Sequence, residues 1–359
     1  MQKKTKNTFM NKDYRTLIDR LKHRQNPDGL ILEKSFSDEL VDSGYKYADV
    51  YIKRAMQAVE PEYTQKSMEA GNKVKEYLKS KLSNVDYEFQ GSVMTNTHIK
   101  GYSDIDLLTI CNNSYGYDSW GVSKILSEAA QYPYSYSQTL VNRLNEVQKI
   151  PSYQGNPLDD LHALRLNSEY HLNNQYSYVD ISKPKSIKVS LTYPKRDVDV
   201  VIAGWYNNAK FYLNNEDKIY RGVQIYDKEK KSKIPADYPF LRIYRLNQKD
   251  ASVNGRLKKM IRFLKTIKCD ASVEIDLSSF EINSICYAIE TDRYKYKTYI
   301  ELLPVLWFQL NRIITDEDYR KNLYSIDDKE QVFKDDYKTQ QLKLLINELN
   351  QIGNDLING

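Results

Sequence analysis

The sequence predicts an α+β protein of two lobes, with a mixed β-sheet and its helices over residues 1–205 and an α-helical lobe over residues 206–359. Three observations lead there. Short apolar or alternating runs of the strand type are concentrated before Trp205, amphipathic runs at helical spacing dominate after it, and 359 residues are enough for two packed lobes. At 41% hydrophobic and 28% charged, the chain is neither a disordered nor a membrane composition.

The elements follow in order. TQKSMEAGNKVKEYLKSKL, residues 64–82, sets Met68, Val74, Tyr77, Leu78 and Leu82 at near-helical spacing and reads as a long amphipathic helix. VDYEFQ is a short extended run, and it leads through GSVMTNTHIKGYS into the apolar strand DIDLLTI, residues 104–110. Residues 111–154 read as helical and loop material, and DDLHALRLNSEYHL as a second helix. SIKVSLTYPKRDVDVVIAG alternates and breaks at Tyr193-Pro194-Lys195-Arg196, the pattern of an antiparallel hairpin. Beyond Trp205 strand signals thin out, and EKKSK, residues 229–233, reads as a solvated loop. RLKKMIRFLKTIK, LSSFEINSICYAIE, YIELLPVLWFQL and YKTQQLKLLINELNQI are the clearest helices, with Leu342, Leu345, Leu349 and Ile352 on a packed face. Trp205, Trp307 and Phe308 read as core.

Composition narrows the function. Cys111, Cys269 and Cys286 are far apart with no C-x-x-C, so neither a disulfide framework nor a zinc ribbon is predicted. Of the four histidines, His98 reads as a loop residue, and His162 and His171 have no local catalytic signature. A net charge of +5 is slight for a protein that grips a duplex, so no stable nucleic-acid partner is expected. No run approaches the roughly 18 apolar residues of a membrane span, and the basic MQKKTKNTFMNKDYR meets no apolar signal core. A cytoplasmic protein without a membrane partner is expected. The 31 tyrosines read as codon bias first and as base-stacking residues second.

The chemistry is concentrated in a few residues. Asp104 and Asp106 lie two apart on a strand, so both leave one face, about 7 Å apart along the backbone. Such hard oxygen donors suit Mg2+ or Mn2+, and Asp199, with Asp197 on the same strand face, supplies a third carboxylate if the two strands are neighbours. A D-x-D alone is commonly a solvated edge. What sharpens it is Gly91-Ser92 between a strand and the next segment, where phosphate can approach the backbone and a hydroxyl can donate. A helix starting there would add its N-terminal N–H groups.

QGSVMTNTHIKGYSDIDLL and the later DVDVVIAG resemble the bacterial cGAS/DncV-like nucleotidyltransferases, within the DNA polymerase β-type superfamily. The resemblance implies a bilobal nucleotidyltransferase fold that condenses nucleoside triphosphates, ATP and at least one other, into a cyclic di- or trinucleotide second messenger in anti-phage (CBASS) signalling. It implies Asp104, Asp106 and Asp199 as catalytic metal ligands, with Gln90, Gly91, Ser92, Thr97 and Ser103 at the nucleotide. Ile202 stands where the family often has Pro. Lys258, Arg262 and Lys265 form a basic stripe that would ordinarily be a helix's wet face. The resemblance selects Lys265 as a triphosphate contact and Ser279 as another phosphate-side contact. It also implies partners: regulatory proteins of a defence operon and an effector that recognises the product. Template-independent RNA nucleotidyltransfer and a catalytically silent nucleotide-binding protein are the alternatives.

Overall fold

The computed structural model describes residues 12–27, 46–101 and 103–358. Residues 1–11, most of the basic N-terminal stretch, lie outside the described residues. In chain order the elements are α1 (Tyr14–Gln25), α2 (Tyr47–Met56), α3 (Pro61–Lys79), β1 (Val85–Gln90), β2 (Ile105–Tyr117), α4 (Ser119–Gln131), α5 (Gln138–Lys149), α6 (Pro157–Gln175), β3 (Val179–Asp180), β4 (Ile187–Thr192) and β5 (Lys195–Asn207). There follow α7 (Ala209–Leu213), β6 (Gly222–Asp227), β7 (Ser232–Lys233), α8 (Pro239–Ser252), α9 (Arg256–Asp270), α10 (Ser279–Tyr287), α11 (Leu302–Thr315), α12 (Glu317–Lys321) and α13 (Asp336–Asn358).

The chain forms two compact units, one of residues 64–95 and 102–245 and the other of 1–63, 96–101 and 246–359. This differs from a division at residue 205 for physical reasons. After Trp205 the chain returns as β6 to pair antiparallel with β5, so the sheet extends past the expected boundary. Gly222–Asp227 lacks clean alternation, which hid it. The run at residues 229–233 turns and then forms β7, where Ser232 pairs with Asp227. The N-terminal helices belong with the helical unit because their apolar faces are buried there: Leu17, Leu21, Val50 and Ile52 share one core with Leu257, Phe263, Leu306 and Leu345. Polar staples add to it. Arg24 forks onto Asp270, Tyr51 donates to the same carboxylate at 2.9 Å, and Tyr14 donates to Asp355 at 2.6 Å. Several tyrosines thus work as amphipathic struts in this unit.

In the sheet unit the strand order is β1-β2-β5-β4-β3, with β6 also pairing β5. β2 and β5 run parallel and the other pairings are antiparallel. One face of the central strands, Ile105 and Leu107 with Val198, Val200 and Ile202, packs under α3 and α6 through Ala70, Val74, Leu78, Leu161 and Leu164. The other face carries Leu108, Ile110, Val201, Ala203 and Trp205. Each fully buried aliphatic side chain here stabilises by roughly 1.5–3 kcal/mol. Trp205 is core, its indole N–H donating to Asp86 at 2.9 Å and Asn112 at 3.1 Å. In the helical unit Phe308 is instead 60% exposed, a correction to its reading as core.

The segment between β3 and β4 is gathered by one buried arginine. Arg165 on α6 has no exposed surface, pairs with Glu169 at 2.6 Å, and donates to the carbonyls of Lys183 at 2.9 Å and Ser186 at 3.0 Å. Lys228 meets Glu169 from the other side at 2.8 Å. Arg165→Ala leaves these acceptors without their donor. It is expected to cost about 3 kcal/mol, read from urea unfolding, and a loss under about 1 kcal/mol would refute the clamp.

Candidate active site

The sheet unit brings Asp106 and Asp199 side by side, because the parallel register of β2 and β5 makes them direct partners. They share the face of Leu108 and Val201, at the strands' N-terminal ends, and Ile202 points into the opposite core. Gln90, the last residue of β1, is Asp106's partner on the other side. Gly91 follows with φ of +90°, and a Cβ there would stand 2.3 Å from Asp106 Oδ2, so only glycine lets the backbone lie against this carboxylate. Ser92 opens a run of turns over residues 92–96 with no helix, so the expected helix N-terminus is absent. The hydroxyl of Thr95 donates to the Ser92 carbonyl at 3.2 Å within that run.

Ser103 and Asp104 precede β2. The Ser67 hydroxyl on α3 donates to the Ser103 carbonyl at 3.2 Å, and Arg196 donates to Ser67 Oγ at 3.2 Å, so α3 and β5 together hold the backbone beside Asp104. Asp104 itself turns to Lys188, with Oδ2 2.9 Å from Nζ, and Asp197 Oδ2 lies equally close to the same ammonium. Burial alone would raise the proton affinity of Asp197, but the Ser190 and Lys188 hydrogen bonds outweigh it and hold the group below the ordinary range.

The electrostatics of the other pair are opposite. Burial, then the charges of Asp199 and Asp104, push Asp106 up to about 7, against a small opposing effect of Lys183. Asp199 is also raised, chiefly by burial. Its buried Oδ1 has no hydrogen-bond partner, and Lys183 Nζ stands 4.0 Å away. Among the described residues no three acidic, thiol or imidazole side chains converge as a ready metal centre, and Asp104 is engaged by Lys188. The Asp106–Asp199 pair nevertheless fits a hard divalent cation: its oxygens are clustered, partly buried and short of positive charge.

The remaining sequence-predicted residues lie in the helical unit. In the basic stripe of α9 Arg262 and Lys265 are buried, not wet, and Lys258 is half-buried. Arg262 donates to the carbonyls of Met56 at 2.9 Å and Asn96 at 2.8 Å, and Lys265 donates to both Thr97 oxygens at 3.2 Å. Thr97 and Lys265 are therefore brought together, and the ammonium is spent on that loop. The stripe is inside because residues 96–101 fold into the helical unit, a long-range event invisible in helical spacing. Ser279 is exposed at the start of α10. Its neighbour Ser278 is the helix cap, its hydroxyl accepting from Glu281 N at 3.2 Å while Glu281 accepts from Ser278 N. In the sheet unit, His162 Nδ1 and the Tyr226 hydroxyl share a hydrogen bond of 2.9 Å. Sequence reading passed over Ser67, Arg196, Lys183 and Lys188. Only Lys188 left a trace, as the outward position in the alternation IKVSLT.

The mixed sheet places paired aspartates beside a Gly-Ser turn, and residues 72–160 match the nucleotidyltransferase domain family. Residues 244–354 match the cGAS/DncV-like nucleotidyltransferase C-terminal helical domain. A c-di-GMP synthase from Capnocytophaga granulosa is 43% identical over 351 residues, covering 96% of this chain and 98% of that protein. One from Flavobacteriaceae sp. is 41% identical over 363 residues, covering 97% and 98%. The solved structure of a STING-associated CdnE c-di-GMP synthase from Flavobacteriaceae sp. superposes with a TM-score of 0.87 at 40% identity, covering 97% of this chain and 99% of that one. The chain belongs to the cGAS/DncV-like nucleotidyltransferase family, and it is an enzyme of that class.

Two outcomes follow from this geometry. Gly91→Ala is expected to displace the Asp106 carboxylate and lower turnover about a hundredfold while the circular dichroism spectrum stays that of the wild type; full activity would refute the close approach. Burial pushes Lys265 down to about 8 from 10.5, so between those pH values the unfolded chain binds more protons than the folded one. Stability from this group therefore rises as pH climbs through that window. Denaturant titrations should show the wild type gaining on Lys265→Met by about 2–3 kcal/mol across it, and a constant difference would refute the shift.

Proposed function

We propose that this enzyme condenses two molecules of GTP into c-di-GMP, releasing two pyrophosphates. The observation that carries the chemistry is the in-register Asp106–Asp199 pair with Gly91 against it. The base choice rests on relatives named c-di-GMP synthase at 39–43% identity. In each of two rounds a ribose hydroxyl attacks the α-phosphorus of a triphosphate, a P–O bond forms, and the bond to pyrophosphate breaks. Asp106 and Asp199, joined by Asp104, would hold Mg2+ or Mn2+, which supplies the positive charge that the triphosphate and leaving group need. Asp199 Oδ1, buried and without a hydrogen bond, is suited to take the attacking hydroxyl's proton. The turn at Gly91-Ser92 offers its backbone and hydroxyl to phosphate, with Gln90 and Ser103 flanking it. Thr97, Lys265 and Ser279 are assigned to the nucleotide as well, Lys265 acting through the loop it holds.

We place the product in bacterial anti-phage (CBASS) signalling, made in the cytoplasm and read by a separate effector. Among the described residues no helix is long and apolar enough to cross a membrane, and one structural relative is described as STING-associated.

The test is incubation of purified protein with each labelled nucleoside triphosphate and Mg2+ or Mn2+, then phosphatase and mass spectrometry. Phosphatase-resistant c-di-GMP from GTP alone is expected, reduced about a thousandfold or more in Asp106→Asn and Asp199→Asn. Extension of added RNA without a cyclic product, or undiminished product from either variant, would sink this reading.

A further inference from the structure

Lys188 stands on β4 as the register partner of Asp199. Its ammonium does not settle there. It reaches past to Asp104 and Asp197, 2.9 Å from an oxygen of each, and so ties the residue just before β2 to β5. Asp104, Asp106, Asp197 and Asp199 crowd the N-terminal ends of the central strands, faced by Lys188 and, at 4.0 Å from Asp199, by Lys183. Four carboxylates against two ammonium groups leave the cluster net negative. Burial alone would weaken the hold of Lys188 on its proton, but its bonds to Asp197 and Asp104 outweigh that and keep it charged.

Asp104 is the one carboxylate of the expected trio that has taken a different cation. Its side chain is 44% exposed, and its Oδ2 is held by Lys188. Asp199 is held more loosely, its Oδ1 without a hydrogen bond and 4.0 Å from Lys183, and Asp106 lies against Gly91.

We propose that Lys188 is a positioning residue that serves as the counter-ion of Asp104 and competes with a divalent cation for it. Binding of the cation then exchanges one partner of Asp104 for another, while Lys188 keeps Asp197. This rests on the reading of Asp106 and Asp199 as a cation site. The first of two consequences separates it from a merely structural salt bridge. Neutralising Lys188 tightens cation binding, and it also destabilises the cation-free protein, because the carboxylates lose half of their nearby positive charge.

The experiment titrates Mn2+ into the full-length enzyme without nucleotide, reading free Mn2+ by electron paramagnetic resonance. Wild type, Lys188→Met, Lys188→Gln, Lys188→Arg and Asp106→Asn are compared, each also by thermal unfolding with and without Mn2+. Lys188→Met and Lys188→Gln are expected to bind Mn2+ about three- to tenfold more tightly than wild type, and Lys188→Arg to return to the wild-type affinity. The two neutral variants should melt earlier without Mn2+ and gain more from it. Equal or weaker Mn2+ binding by a folded neutral variant overturns the proposal and leaves the cation site standing. Wild-type Mn2+ binding indifferent to Asp106→Asn overturns both readings.

Discussion

The parallel pairing of β2 with β5 is the constraint on which the sheet unit depends. It sets Asp106 opposite Asp199, and by the same register it aligns Val200 and Ile202 beside Leu107 and Thr109 on the buried rungs above. A slip of one residue would turn every side chain to the other face, driving the carboxylates into the helix-covered core. The apolar rungs thus hold the register, and the register holds two like charges together. Neither aspartate would choose that arrangement alone, as the raised proton affinity of both shows.

Around that pair the chain uses different means for different jobs. Gly91 supplies a backbone without a side chain where nothing larger fits. Ser67 and Arg196 fasten the approach to Asp104 through hydrogen bonds. Arg165 gathers the carbonyls of the segment that leads to Lys188, so a side chain on α6 reaches the charged edge through main-chain atoms. In the helical unit Arg262 and Lys265 do a similar service, pinning Asn96 and Thr97 with charges drawn from bulk water. A buried cation bonded to carbonyls gives up hydration for direction, which favours one loop conformation over many.

Much of the candidate site was legible because its patterns are local. The D-x-D spacing, the Gly-Ser before it and the later D-V-V strand are short patterns whose meaning survives without knowledge of their partners. The helices from residue 256 onward were legible from periodicity alone. Phe308 was not, since an aromatic residue on an amphipathic helix is buried only if something covers that side.

From the sequence alone came the α+β class, the strands that carry the aspartates, most helices, and the family. Tertiary structure decided that Asp199 is the register partner of Asp106, that Asp104 lies on Lys188, and that Arg262 and Lys265 of α9 are buried. It also decided that the N-terminal helices belong with the C-terminal ones. The reason is common to all four: spacing along a chain fixes which face a side chain takes, while its partner comes from residues tens to hundreds of positions away, set by strand register and by shared core.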